Sequence, residues 1–141
     1  MAKLAGYAPV ITTASLRHTT TFHALGAIRV LDRTLPAAAI LRALAELGAP
    51  VELVFDAIWE AATQMLGYEA LAPGGAMLLV LADEIPAEKK VDSEGKRVVS
   101  VYGVVHAPAN EAFGRELFGR VEGWLRSGVL VVRRKFFLDN G

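Results

Sequence analysis

The stretch PAAAILRALAELGAPVELVFD, residues 36–56, decides the fold. Pro36 suits a first helical turn, where a missing N–H is harmless. Ile40, Leu41, Leu44 and Leu47 then share one face at helical spacing, and Gly48 stops the helix. The chain passes at once into Val51-Glu52-Leu53-Val54-Phe55-Asp56, whose β-branched and aromatic side chains read as a strand. A helix feeding directly into a strand is the return half of a crossover, and the same alternation continues on both sides.

Upstream, residues 8–14 read as a short buried strand ending at Ser15, a candidate N-cap. Leu16, Phe22 and Leu25 suggest a short helix closed by Gly26, followed by a strand at Ile28-Arg29-Val30-Leu31 that ends on Asp32. Downstream, Trp59 to Leu71 has helical spacing through Ala62, Met65, Leu66 and Ala70. Pro73-Gly74-Gly75 reads as a turn into the strand Met77-Leu78-Leu79-Val80-Leu81, so apolar that both its faces should be covered. Residues 83–97 carry nine charges among fifteen, which predicts a solvated loop or hairpin rather than core. A strand over Val98–Tyr102, a long helix through Phe113, Leu117, Val121, Trp124 and Leu125 to Ser127-Gly128, and a last strand from Val129-Leu130-Val131-Val132 complete the chain. Strands alternating with helices over 141 residues predict one α/β domain, residues 1–141, with a parallel sheet and right-handed crossovers.

Composition narrows the chemistry. Fifteen basic residues balance fifteen acidic ones, so no net charge draws the chain to nucleic acid or to an anionic membrane. Without cysteine there are no thiolate metal sites, disulfides or cysteine nucleophiles. His18 and His23, five apart, diverge on a helix, and no carboxylate cluster completes a metal site with them or with His106. No serine has the G-x-S-x-G context of an esterase. Arg133-Arg134-Lys135 with Phe136-Phe137 reads as a charged edge strand, and Gly119 with Gly123 as a close-packing helix face. With no signal-like apolar run near Met1 and no span of 18 apolar residues, the expectation is a soluble, cytoplasmic protein.

The run Leu4 to Ser15, then Leu25-Gly26-Ala27, Val30-Leu31-Asp32, Val54-Phe55-Asp56-Ala57, Leu71-Ala72-Pro73-Gly74-Gly75 and Trp124-Leu125-Arg126-Ser127-Gly128, resembles in order and spacing the nucleotide-binding domain of medium-chain dehydrogenase/reductases. It is most similar to fungal zinc-independent enoyl-reductase and quinone-oxidoreductase-like members. The resemblance implies an incomplete Rossmann-like parallel sheet with helices on both faces. The first strand, the Gly-rich turn that cradles the cofactor pyrophosphate and the substrate domain would all lie outside this sequence, as in an internal piece of a reductase.

The implied cofactor is NADPH, with no metal. By alignment with the family, Ser15, Arg17 and His18 take the place that holds the 2′-phosphate, Asp32 and Arg33 stand beside the adenine pocket, and Asp56 ends a strand approaching the nicotinamide. Read without the resemblance, Ser15 is an N-cap, Arg17 a solvated helix residue, Arg33 part of a surface turn and Asp56 the shaper of its own turn. Three functions follow: a reductase fragment unable to catalyse alone, a non-enzymatic dimeric interaction protein of fungal origin, immunomodulatory or effector-like, or a piece taken from a larger enzyme. The resemblance also implies a homodimer through sheet edges. Loss of the central first strand would leave unpaired backbone on the strands at 9–14 and 51–56, which Val129–Val132 could fill within the chain or from a partner, and the strand at Val98–Tyr102 pairs across a two-fold in the family.

Overall fold

The computed structural model describes residues 2–91 and 94–131, which fall into two compact units, 2–102 and 103–131. In the first unit the elements run β1 (Ile11–Ala14), α1 (Thr19–Ala24), β2 (Arg29–Asp32), α2 (Ala37–Ala45), β3 (Val51–Asp56), α3 (Ala61–Ala70), β4 (Leu71–Leu79) and β5 (Arg97–Ser100). Every strand pairing is parallel, which requires a crossover connection between the paired strands.

The strands form two sheets, β1-β2 and β3-β4-β5. Laid end to end they reproduce the strand order 3-2-1-4-5-6 of a dinucleotide-binding sheet with its central position, between β1 and β3, unfilled by any described residue. The architecture is that of a partial Rossmann-like α/β domain, and the two sheets separate at the position that the family resemblance leaves unfilled.

Local chemistry sets the element ends. Gly26 and Gly48 stand at φ +99° and +66°, the left-handed conformation that closes α1 and the α2 turn without a Cβ penalty. Ser15 precedes a 3-10 turn over Leu16–His18, but its hydroxyl makes no capping bond. The helix expected from Trp59 starts later, at Ala61, because Trp59 takes φ +64°. Ala62, expected on its inner face, is exposed, and Gln64, Gly67 and Tyr68 are buried instead.

Pro73-Gly74-Gly75 is not a turn between helix and strand. Strand β4 begins at Leu71, directly after α3, and a register shift against β3 between Val51 and Leu53 absorbs the Pro-Gly-Gly segment as a bulge. A Cβ on Gly75 would come within 2.9 Å of the Ala72 carbonyl oxygen and 3.2 Å of that of Glu52, so this glycine serves close backbone packing.

The core of this unit is Tyr68, Leu71, Met77, Leu79 and Ile85, with Val51, Val54, Met65 and Val98 packed against it. Ile85 therefore brings part of the charged 83–97 segment into the core, held by Asp83, whose Oδ1 accepts from the Ile85 N–H and whose Oδ2 pairs with Lys90. Strand β4 is covered on one face only: Met77 and Leu79 are buried, Ala76 and Leu78 are half-buried, and Phe55 on the neighbouring β3 is 61% exposed.

In the second unit α4 (Glu111–Arg126) carries the ion pairs Glu111–Arg115, Glu116–Arg120 and Glu122–Arg126, all one turn apart and exposed. Gly114 packs on Val105, whereas a Cβ at Gly119 or Gly123 would meet no atom within 4 Å. The close-packing role expected of that glycine pair is thus absent among the described residues. Val129 to Val131 form no strand; Val132 and the Arg133–Phe137 run lie outside the described residues.

Candidate functional site

In an open parallel sheet, ligands approach the carboxyl ends of the strands. Five of the six candidate residues meet at that edge of β1-β2. Ala14 and Asp32 are register partners at the last step, and the Arg33 N–H closes the pair by donating to the Ala14 carbonyl at 3.1 Å. Ser15, Arg17 and His18 follow β1 directly, and Asp32 and Arg33 end β2.

Arg17 is exposed, and its Nε donates to His18 Nε2 at 3.1 Å. The His18 ring stands edge-on to Phe22, 6.5 Å between centroids, which fixes the imidazole beside the guanidinium. The Ser15 side chain is half-buried and free of any capping bond. A cation, an imidazole and a hydroxyl thus share one short segment at the strand end.

Asp32 Oδ1 accepts from the Thr34 N–H at 2.9 Å and the Thr34 hydroxyl at 2.8 Å. These two bonds, the backbone one first, and then the nearby Arg33 charge hold its carboxyl below the ordinary value of 3.8. The carboxylate is therefore engaged by its own turn while Arg33 remains exposed beside it.

Asp56 sits on the other sheet and is 7% exposed. Its Oδ1 accepts from the N–H groups of Ile58 and Trp59 at 2.7 and 3.2 Å, and its Oδ2 from the Thr63 hydroxyl at 2.8 Å. Both oxygens are taken up in turning the chain from β3 into α3 with Trp59 in its left-handed conformation.

Gln64 escaped the sequence reading. Only 1% exposed, it donates through Nε2 to the Ala82 carbonyl at 2.9 Å and accepts at Oε1 from the Glu84 N–H at 2.7 Å, ordering the loop that leaves the carboxyl end of β4. Its one sequence signal is a polar residue between the apolar positions Ala62, Met65 and Leu66 of the helix. At the opposite, amino end of β3, Leu41, Leu44, Pro50 and Val51 border an apolar depression of about 350 Å³ with Glu69 as its polar rim.

A cation and a hydroxyl stand together at the β1-β2 edge, but no glycine-rich turn leads from strand to helix among the described residues, and Gly74-Gly75 lies within β4. No group of three or more His, Asp or Glu able to hold a metal occurs among them either.

No family model and no curated protein matches the chain. Solved structures do. The quinone oxidoreductase of Pseudomonas syringae pv. tomato DC3000 superposes with TM-score 0.71 at 18% identity, covering 86% of this chain and 39% of its own. A mycobacterial protein complexed with NADPH gives TM-score 0.72 at 19% identity, over 88% of this chain and 40% of its own. The nucleotide-binding subdomain of the enoylreductase domain of PpsC from Mycobacterium tuberculosis gives TM-score 0.60 at 24% identity, over 87% of this chain and 71% of its own.

The fold is accordingly one that this chain shares with part of a quinone oxidoreductase, with part of an NADPH-complexed mycobacterial protein and with the nucleotide-binding subdomain of an enoylreductase domain. The chain spans about two-fifths of the length of the first two of these structures.

Proposed function

We propose that this chain supplies the adenosine-phosphate half of an NADPH site in a medium-chain oxidoreductase, and that it does not transfer hydride by itself. The observation that carries the reading is the convergence of Ser15, Arg17, His18 and Arg33 at the carboxyl edge of β1-β2. NADPH, when bound, supplies the hydride; these residues bind and orient its ribose-phosphate end.

In the dinucleotide-binding strand order, β1 holds the position next to the centre, where an acidic residue at the strand end accepts from the ribose 2′-hydroxyl of NAD. Here that end carries Ser15, with Arg17 two residues on. A carboxylate there would repel a 2′-phosphate; a hydroxyl and a guanidinium hold it through charge-assisted hydrogen bonds. His18 steadies Arg17 by accepting at Nε2 from its guanidinium. Arg33 can lie flat on adenine. Asp56, engaged by three donors, maintains the turn near the nicotinamide end.

Hydride transfer needs cofactor and substrate held together in one cleft, and the described residues provide one end of the cofactor site alone. Calorimetric titration with NADPH and NADH tests the reading. Weak, saturable binding that favours NADPH, with the preference abolished by Arg17→Ala, is the expected result. Equal affinity for the two nucleotides overturns the NADPH assignment, and no binding of either favours the interaction-protein alternative.

A further inference from the structure

Trp59 stands where its backbone has a reason not to be. At φ +64° it occupies the left-handed region, which a bulky side chain enters at a cost and keeps only where its surroundings impose it. Here the imposing group is Asp56, whose buried carboxylate accepts from the Ile58 and Trp59 N–H groups and is itself anchored by the Thr63 hydroxyl. Both turn donors are backbone groups, so glycine at 59 would serve the turn without the Cβ penalty. The core does not call for the indole either: Trp59 is 49% exposed and lies outside the core cluster.

What the turn achieves is to set a large aromatic ring at the carboxyl end of β3, the edge at which open parallel sheets take ligands. Asp56 and Leu79 are register partners at the last step of β3 and β4. Trp59 and Leu81 therefore leave the same edge of two neighbouring strands, and Ile58 and Leu81 are themselves more than half exposed. An indole face is electron-rich, so among flat rings it holds an electron-poor or cationic one best.

We propose that Trp59 is a stacking platform for an electron-poor conjugated ring bound at the carboxyl edge of β3 and β4. The choice of ring rests on the NADPH reading above. In an oxidoreductase the oxidised nicotinamide of the cofactor and the ring of a quinone substrate share this chemistry. Trp59 binds and orients the ring and takes no part in hydride transfer.

The chain has two tryptophans, Trp59 and Trp124, so NMR of the indole N–H groups of the full chain reads the site directly. Trp124→Phe assigns the two signals, and in the unaltered chain Trp124 is the internal reference. The probes are oxidised nicotinamide mononucleotide and a naphthoquinone sulfonate. A saturable shift of the Trp59 signal with Trp124 unmoved is the expected result; the mononucleotide producing it assigns the cofactor ring, and the quinone the substrate ring. Neither probe carries a 2′-phosphate, so this result stands or falls separately from the site at Ser15 and Arg17.

Trp59→Phe should bind the same probe within about threefold of the unaltered chain, and Trp59→Ala about tenfold more weakly. Trp59→Gly loses the ring but also the strain, so it should unfold at higher urea concentration than Trp59→Ala while binding no better. No shift at Trp59 with either probe, equal shifts at both indoles, or undiminished binding by Trp59→Ala overturns the platform. A Trp59→Gly chain no more stable than Trp59→Ala overturns it too, because the backbone is then not held against its preference.

Discussion

Asp56→Ala separates a residue that builds a turn from one that touches a nucleotide. Alanine removes three acceptors at once, from Ile58, Trp59 and Thr63. At a net contribution of about 1 kcal/mol for each hydrogen bond the loss is about 3 kcal/mol. The left-handed Trp59, no longer held by the carboxylate, adds to it. Against a total stability of about 5 to 15 kcal/mol this is a large fraction.

Asp56→Asn keeps one acceptor for the two N–H groups and can turn its amide to the Thr63 hydroxyl, so it should cost about 1 kcal/mol or less. Urea denaturation followed by far-ultraviolet circular dichroism gives both values. A loss below about 1 kcal/mol for Asp56→Ala, or equal losses for the two variants, would refute the reasoning, since the three bonds are then not what holds the turn.

Three further outcomes follow. The Asp32 carboxyl should titrate below 3.8 in the folded chain, and Thr34→Val should raise it by removing the hydroxyl bond, measured by carbon-detected NMR; because the folded value is depressed, Asp32 contributes stability above its unfolded value and loses that contribution as pH falls through the folded one. Gly119→Ala and Gly123→Ala, with open space at each Cβ, should each raise the helicity of α4 and stabilise it by about 0.5 to 1 kcal/mol, read by circular dichroism on heating; a loss would reveal a contact at that face. The purified chain should not oxidise NADPH with enones or quinones in an absorbance assay, and turnover abolished by Arg17→Ala would contradict its dependence on further parts of the enzyme.

Some of this was legible in the residues because the deciding signals were local. Strand β3 came out with its observed bounds, since the apolar Val51, Leu53, Val54 and Phe55 run from Pro50 to an Asp-led turn. The Pro73-Gly74-Gly75 segment misled because a bulge inside a strand and a turn before one use the same residue types; only the approach of Gly75 to Glu52, more than twenty positions away, tells them apart. Gln64 was invisible for the same reason, its partners Ala82 and Glu84 lying 18 and 20 residues on. The expected covering of both faces of β4 is not met among the described residues, because hydrophobicity reports what a strand would bury, and no element of the 2–102 unit packs over the Phe55 side. The candidate residues at the β1-β2 edge could be listed from the family resemblance, but their convergence through the Arg33–Ala14 bond needed the fold.

The central claim, that the carboxyl edge of β1-β2 recognises a 2′-phosphorylated adenosine, is tested most directly by amide chemical-shift mapping with adenosine 2′,5′-bisphosphate against adenosine 5′-phosphate. The account predicts saturable shifts at Ser15, Arg17, His18 and Arg33 with the 2′-phosphorylated ligand and much smaller ones without that phosphate. Shifts of the same size with both ligands, or shifts centred on the depression at Leu41 and Pro50, would contradict it.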